Sequence, residues 1–183
     1  MSEPTIDRRS LLKAAAATGM SVALGQSAQA AGSESQQARK PKGKSVAGLA
    51  APKMDKVRVG FVGVGARGSG HVAQMLLLEG VEVTAICDTH RPSLDKAVKR
   101  CVDKGRPAPK AYDGAKDYLR LANQPDVDIV IISTPWSLHV PMAVAAMRAG
   151  KHAFIEVPAA TTVDGCWELV DTAEETQRHC MMM

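Results

Sequence analysis

The sequence predicts an α/β protein of the Rossmann type, a doubly wound and mostly parallel sheet, on three observations. An apolar, β-branched run from Val57 to Val62 flows into Gly63, Gly65 and Gly68, which stand in G-x-G-x-x-G spacing. Asp88 follows Gly68 by twenty residues, just beyond a second apolar run. Strand-like and helix-like stretches then alternate to the end of the chain, the pattern of parallel strands joined by crossover helices.

Each element has its own warrant. In the glycine turn the first glycine permits the tight bend, the second lets a pyrophosphate approach the backbone, and the third lets helix and strand pack closely. Free N–H groups and the positive end of a helix dipole then face the phosphates, so no cationic side chain is required. Ser69 to Glu79 carries Val72, Ala73, Leu76 and Leu77 in an i, i+3, i+4 stripe and is predicted helical, with Gly80 as its stop. Val81 to Ile86 is the second strand. Asp88 beyond it is placed to accept hydrogen bonds from ribose hydroxyls and to repel a 2′-phosphate, which favours NAD over NADP. Capping a helix from Arg91 to Lys104 is the alternative role for Asp88, and Arg91 is near enough to bear on the cofactor choice. Pro107 and Pro109 mark a loop, Lys110 to Tyr112 a short third strand, and Asp117 to Leu121 a brief helix. Asp126 to Ser133 reads as a strand buried on both faces. After Thr134 to His139 come a helix from Val140 to Arg148 stopped by Gly150, a strand from Lys151 to Glu156, and an amphipathic helix from Val163 to Gln177. Cys180 to Met183 opens a sixth strand.

Charge and composition exclude several classes. Residues 1–45 hold seven basic and three acidic side chains, which accounts for the whole net charge of +4; the remainder balances at sixteen of each. A neutral domain with 3% aromatic residues has neither the basic face nor the stacking platform of a nucleic-acid binder, so no nucleic-acid partner is expected. Cys87, Cys101, Cys166 and Cys180 form no C-x-x-C pair and no metal-ligand spacing with the five histidines. They are expected as small buried side chains, with pairing open if the protein is exported, and no metal site is expected.

Residues 1–30 are expected to be a signal peptide. Arg8-Arg9-Ser10-Leu11-Leu12-Lys13 precedes a mildly apolar run from Ala14 to Leu24 and then Ala28-Gln29-Ala30, a basic segment, an apolar segment and a small-residue cleavage site in the right order. The apolar run of about eleven residues is short of the ~20 that span a bilayer, so no stable membrane span is expected. Arg8-Arg9 resembles the twin-arginine signal, although Asp7 stands where Ser or Thr is usual and Leu11 where Phe is commonest. An ordinary Sec signal and a basic amphipathic helix are the alternatives. The twin-arginine export machinery is the expected partner and the periplasm or exterior the expected location. Residues 31–53 read as a flexible linker on their Gly, Ser, Gln, Lys and Pro content, and residues 54–183 as the domain.

Several motifs coincide. Gly63-Val64-Gly65-Ala66-Arg67-Gly68, Ile86-Cys87-Asp88, Thr134-Pro135 with His139 and Ala143, and Ala149-Gly150-Lys151-His152 with Glu156-Val157-Pro158 together resemble the amino-terminal domain of the Gfo/Idh/MocA oxidoreductase superfamily over Val57 to Met183. That superfamily normally reads Glu-Lys-Pro at the last motif, where Val157 stands here and can donate no proton. The variant, with Gly43-Lys44-Ser45, Ala51-Pro52-Lys53-Met54, Ile132-Ser133-Thr134-Pro135-Trp136, Cys180-Met181-Met182-Met183 and the leader, is similar to glycoside hydrolase family 109, the NAD-dependent α-N-acetylgalactosaminidases. The resemblance implies oxidation at sugar carbon 3, elimination of the aglycone, addition of water and return of the hydride, a scheme outside two-carboxylate glycoside hydrolysis.

To Gly63, Gly65, Gly68 and Asp88 the resemblance adds dinucleotide contacts at Ala66, Arg67, Trp136, Ser137, Leu138, His139, Glu156 and Val157. Packing for Trp136 and a helix cap for His139 stay open, while His71, His90, His152 and His179 are expected to be structural or exposed. The family's substrate and proton-transfer residues lie in a second α/β domain beyond Met183, which ends inside a predicted strand. The chain is therefore expected to be an amino-terminal piece, inactive alone, of an enzyme acting on terminal N-acetylgalactosamine. Homo-oligomerisation is left open. The alternatives are an NAD(P)-dependent sugar oxidoreductase of the same superfamily and a non-catalytic nucleotide-binding domain.

Overall fold

The computed structural model describes residues 40–183; the expected signal peptide and the first part of the expected linker lie outside them. Pro41 to Met183 forms one compact unit. In chain order it comprises β1 (Val57–Val62), α1 (Ala66–Met75), β2 (Val81–Cys87), α2 (Arg91–Asp103), β3 (Lys110–Tyr112), α3 (Tyr118–Ala122), β4 (Ile129–Ile132), a 3₁₀ turn (Trp136–Leu138), α4 (His139–Arg148), β5 (His152–Ile155), α5 (Val163–Thr176) and β6 (Cys180–Met182).

All six strands are parallel, in the order β3-β2-β1-β4-β5-β6. The register aligns Val62 with Cys87 on one side and Ile132 on the other, and Ile132 with Ile155, so four carboxyl ends lie level. Strand order reverses between β1 and β4, which opens the crevice in which ligands bind such sheets.

Alternation along β1 feeds two cores. Val59 and Phe61 pack with Val72, Leu94 and Cys101 under α1 and α2, whereas Val62 packs with Leu121, Met142, Met147 and Leu169 under α3, α4 and α5. Gly60 makes the second core tight, since a Cβ there would stand 2.7 Å from Leu121 Cδ2. At the opposite, amino end of the sheet Arg58 grips Asp128 through Nε at 2.9 Å and a terminal nitrogen at 2.6 Å, joining β1 to the start of β4. Burial alone opposes the charged form, yet that guanidinium holds the Asp128 carboxyl below its ordinary range.

Three expectations are corrected. Helix α1 begins at Ala66, directly on the glycine turn, and ends at Met75; Leu76 to Leu78 form a turn with Leu77 exposed, so the apolar stripe overstated the helix by a turn at its carboxyl end. Pro41 to Val46 is laid on α5 rather than left as linker: Lys42 pairs with Asp171 at 3.3 Å, the Gln177 side chain donates to the Lys44 carbonyl at 2.6 Å, and Gly43 sits too close to the Glu174 carbonyl for any side chain. Of the four free cysteines Cys87 and Cys101 are buried, but Cys166 is exposed, one residue off the α5 stripe of Gly165, Leu169, Thr172 and Ala173 that faces the sheet. Among the described residues no helix is long and apolar enough to cross a membrane.

Candidate dinucleotide-binding site

The site begins where β1 ends. Gly63 has φ +84°, and a Cβ on it would lie 2.7 Å from the Ser133 carbonyl oxygen. A Cβ on Gly68 would run into the Gly63 carbonyl. A Cβ on Gly65 would meet nothing within 4 Å. Two glycines are thus imposed by protein packing and the middle one by nothing in the protein, which is the pattern expected where a ligand takes the space. Helix α1 has no side-chain cap and no acidic residue in its first turn, so its opening N–H groups and positive dipole end stay available to an anion.

A cleft of about 560 Å³ crosses the carboxyl ends of β2, β1 and β4, with Gly63, Gly65, Asp88, Thr134, Leu138 and Met142 in its wall. Its β2 side is built by backbone order. Gly63 N–H donates to the Cys87 carbonyl at 2.8 Å and Asp88 N–H to the Tyr112 carbonyl at 3.1 Å, tying the ends of β1, β2 and β3 together. The Asp88 carboxylate accepts from Val64 N–H at 2.7 Å and from His90 N–H at 2.8 Å, leaving further lone pairs for hydroxyl donors. Arg91 is turned to Asp95 and Asp113, at 2.9 and 3.0 Å.

The β4 and β5 side uses side chains instead. His139 is fully buried, with Nδ1 2.8 Å from the Pro158 carbonyl oxygen and Nε2 2.8 Å from that of Thr134. It ties the loop after β4 to the loop after β5 and presents no surface to the cleft. Trp136 is 62% exposed and, with Ser137 and Thr161, borders the space beyond the cleft's β4 end. Glu156 is held by His71 Nε2 at 2.6 Å and Arg67 Nε at 3.2 Å, both from α1. The His71 hydrogen bond first, and then the Arg67 charge, hold its carboxyl below the ordinary value despite burial. Val157, next in the chain, is 45% exposed.

Of the residues named from sequence, Gly63, Gly65, Asp88 and Leu138 meet in the cleft wall, Gly68 lies beneath it, Ala66 borders a neighbouring recess, and Arg67 and Glu156 pair with each other. His71, expected to be merely structural or exposed, belongs to that pair. Its spacing of four from Arg67 on one helix was the available signal. Burial pushes the Cys87 thiol up to about 12 and the Cys180 thiol up to about 11, which disfavours the thiolate at both. Among the described residues no cluster of His, Cys, Asp or Glu could hold a metal ion.

Glycine turn, uncapped helix, carboxylate past β2 and cleft at the strand-order reversal define an NAD-binding Rossmann domain, and these residues fit the dinucleotide. A family profile described as an oxidoreductase family with an NAD-binding Rossmann fold matches residues 57–183, and the chain belongs to that family, Gfo/Idh/MocA. It is 54% identical, over 97% of its length, to glycosyl hydrolase family 109 protein 1 of Shewanella sp. (strain MR-4), and 53% identical over the same share to an alpha-N-acetylgalactosaminidase of Shewanella oneidensis. In each case it spans 39% of the relative. A solved structure similar to it is the WlbA dehydrogenase of Chromobacterium violaceum with NADH and UDP-GlcNAcA, at 28% identity and TM-score 0.63, covering 74% of this chain and 37% of that one.

Proposed function

We propose that this chain is the cofactor-holding domain of a family 109 glycosidase that removes terminal α-N-acetylgalactosamine. The observation that carries the reading is 54% identity across 97% of the chain to proteins of that family, joined to Val157 at the position of the superfamily's usual lysine. Bound NAD supplies a hydride acceptor that is also a hydride donor, so oxidation and re-reduction of one sugar leave it unchanged. The chain's own residues orient and hold. Glycine-turn amides and the α1 dipole take the pyrophosphate, Asp88 takes ribose hydroxyls, and the loops joined by His139 border the β4–β5 end of the cleft. Val157 cannot relay a proton and Glu156 is held by His71 and Arg67, so neither is assigned as the acid or base for the sugar. We assign that role, and glycan binding, to sequence outside these 183 residues, in keeping with the 39% span.

Arg8-Arg9 and the segment to Ala30 support export by the twin-arginine route, which carries folded proteins and so allows loading with NAD before export. An NAD(P)-dependent sugar oxidoreductase is the second reading, favoured by the family's own description. An aryl α-N-acetylgalactosaminide given to the longer protein that carries this domain separates the two. Phenol released with no net reduced cofactor is the expected result, and stoichiometric reduced cofactor with an oxidised sugar would overturn it.

A further inference from the structure

A second hollow, of about 540 Å³, opens beside the dinucleotide cleft at the loop after β4, lined by Thr134, Pro135, Trp136, Ser137 and Thr161. Thr134 and Pro135 border both spaces, Leu138 borders the cleft alone, and Trp136, Ser137 and Thr161 border the hollow alone. The 3₁₀ turn thus divides its side chains between the cofactor's cleft and a space outside it. Trp136 is 62% exposed, although tryptophan is on average highly buried. The side chains of Trp136, Ser137 and Thr161 make no hydrogen bond to another described residue. Their backbone is nonetheless anchored: Leu138 N–H donates to the Pro135 carbonyl at 2.9 Å, and buried His139 stands 2.8 Å from the carbonyls of Thr134 and Pro158. No charged side chain lines this hollow. The chain's other tryptophan, Trp167, by contrast lies among Lys42, Arg148, Asp164 and Glu168.

We propose that the Trp136 side chain serves the substrate and not the cofactor: its indole is a stacking platform for the group that leaves with the anomeric oxygen, a neutral saccharide, with the Ser137 and Thr161 hydroxyls as its polar partners. The inference rests on the glycosidase reading above. An aromatic face flanked by hydroxyls and free of charge suits an uncharged carbohydrate, whose C–H faces pack on a ring and whose hydroxyls both donate and accept. A phosphate or carboxylate would find no cation among the lining side chains. The loop is held in place before any ligand arrives, so little ordering is required of it on binding. The reacting sugar itself belongs in the cleft mouth. Hydride leaves carbon 3 from the ring face that, in a galacto sugar, also carries the hydrogens of carbons 4 and 5, so that apolar face lies against the nicotinamide and is closed to an indole. The substituent on carbon 1 is then the group that extends from the cleft into the hollow.

The test uses the longer protein that carries this domain. Wild type, Trp136→Ala and Trp136→Phe are compared on methyl α-N-acetylgalactosaminide and on the disaccharide in which the same sugar is α-linked to galactose. On the disaccharide Trp136→Ala is expected to lose at least about tenfold in kcat/KM, and on the methyl glycoside at least about fivefold less than that. Trp136→Phe keeps a ring and should stay within about threefold of wild type on the disaccharide. NAD retained per chain after gel filtration should match wild type in both variants. Equal losses on the two glycosides would put the indole on the reacting sugar or its acetamido group and overturn the proposal, as would a Trp136→Phe no better than Trp136→Ala. NAD lost from Trp136→Ala would return the side chain to the cofactor. Wild type that releases no leaving group from either glycoside, or that accumulates reduced cofactor with an oxidised sugar, would instead overturn the glycosidase reading itself, a result distinct from the others.

Discussion

The two sides of the cleft are built differently. On the β1–β2 side the ligand-facing groups are backbone amides, a bare glycine and one carboxylate; on the β4–β5 side the loops are held by buried or paired side chains, His139 between two carbonyls and Glu156 between His71 and Arg67. Backbone chemistry is fixed by the fold and suits any dinucleotide. Side-chain scaffolding leaves the exposed positions, Trp136 and Val157, free to differ with the reaction. The first side therefore reports the cofactor and the second reports what is done with it.

If this contrast is right, the largest loss should come from the glycine turn. Gly68→Ala places a methyl group against the Gly63 carbonyl and should destabilise the domain by about 3 kcal/mol, with NAD binding lost, as read by urea unfolding and titration. His139→Leu should cost about 2 kcal/mol, because it removes the fully buried imidazole that stands between the Thr134 and Pro158 carbonyls, yet 5′-AMP, which reports only the β1–β2 side, should bind nearly as before. Equal loss of 5′-AMP affinity would erase the distinction between the sides.

A pH effect separates them further. The carboxyl of Glu156 is held below its ordinary value in the folded protein, so its contribution to stability is present above the unfolded value near 4.5 and is lost as pH falls through the lower folded value. The stability gap between wild type and Glu156→Gln should be widest near neutrality and close in acid. A gap that stays constant with pH would remove the ion pair from the account. The smallest effect belongs to Val157→Lys. At a 45% exposed position it should shift stability by no more than about 0.5 kcal/mol and leave 5′-AMP affinity unchanged, since 5′-AMP reports only the β1–β2 side.

Much of this was legible in the sequence, and unevenly so. Strands β1 and β2 fall within a residue of where their apolar runs put them, because burial on a parallel sheet writes itself as continuous β-branched runs, while β3 is placed by the proline break before it, α4 by the Gly150 stop and α5 by its amphipathic pattern. The end of α1 was misplaced because Leu77 is apolar but exposed, and periodicity registers hydrophobicity rather than contact. Cys166 misled for the related reason that burial depends on the helix face and not on residue type. The glycine turn and Asp88 were readable from spacing, since backbone geometry demands those residues locally. The links of His71 to Glu156 and of His139 to Pro158 were not, because each joins segments far apart in the chain and only the strand order brings them together.

The most direct measurement is a crystal structure of the protein grown with NAD. The account predicts the pyrophosphate against the amides around Gly65, the adenosine ribose on Asp88, and the nicotinamide toward the Trp136 loop and Val157. A dinucleotide bound anywhere else, or with its ribose away from Asp88, would contradict it.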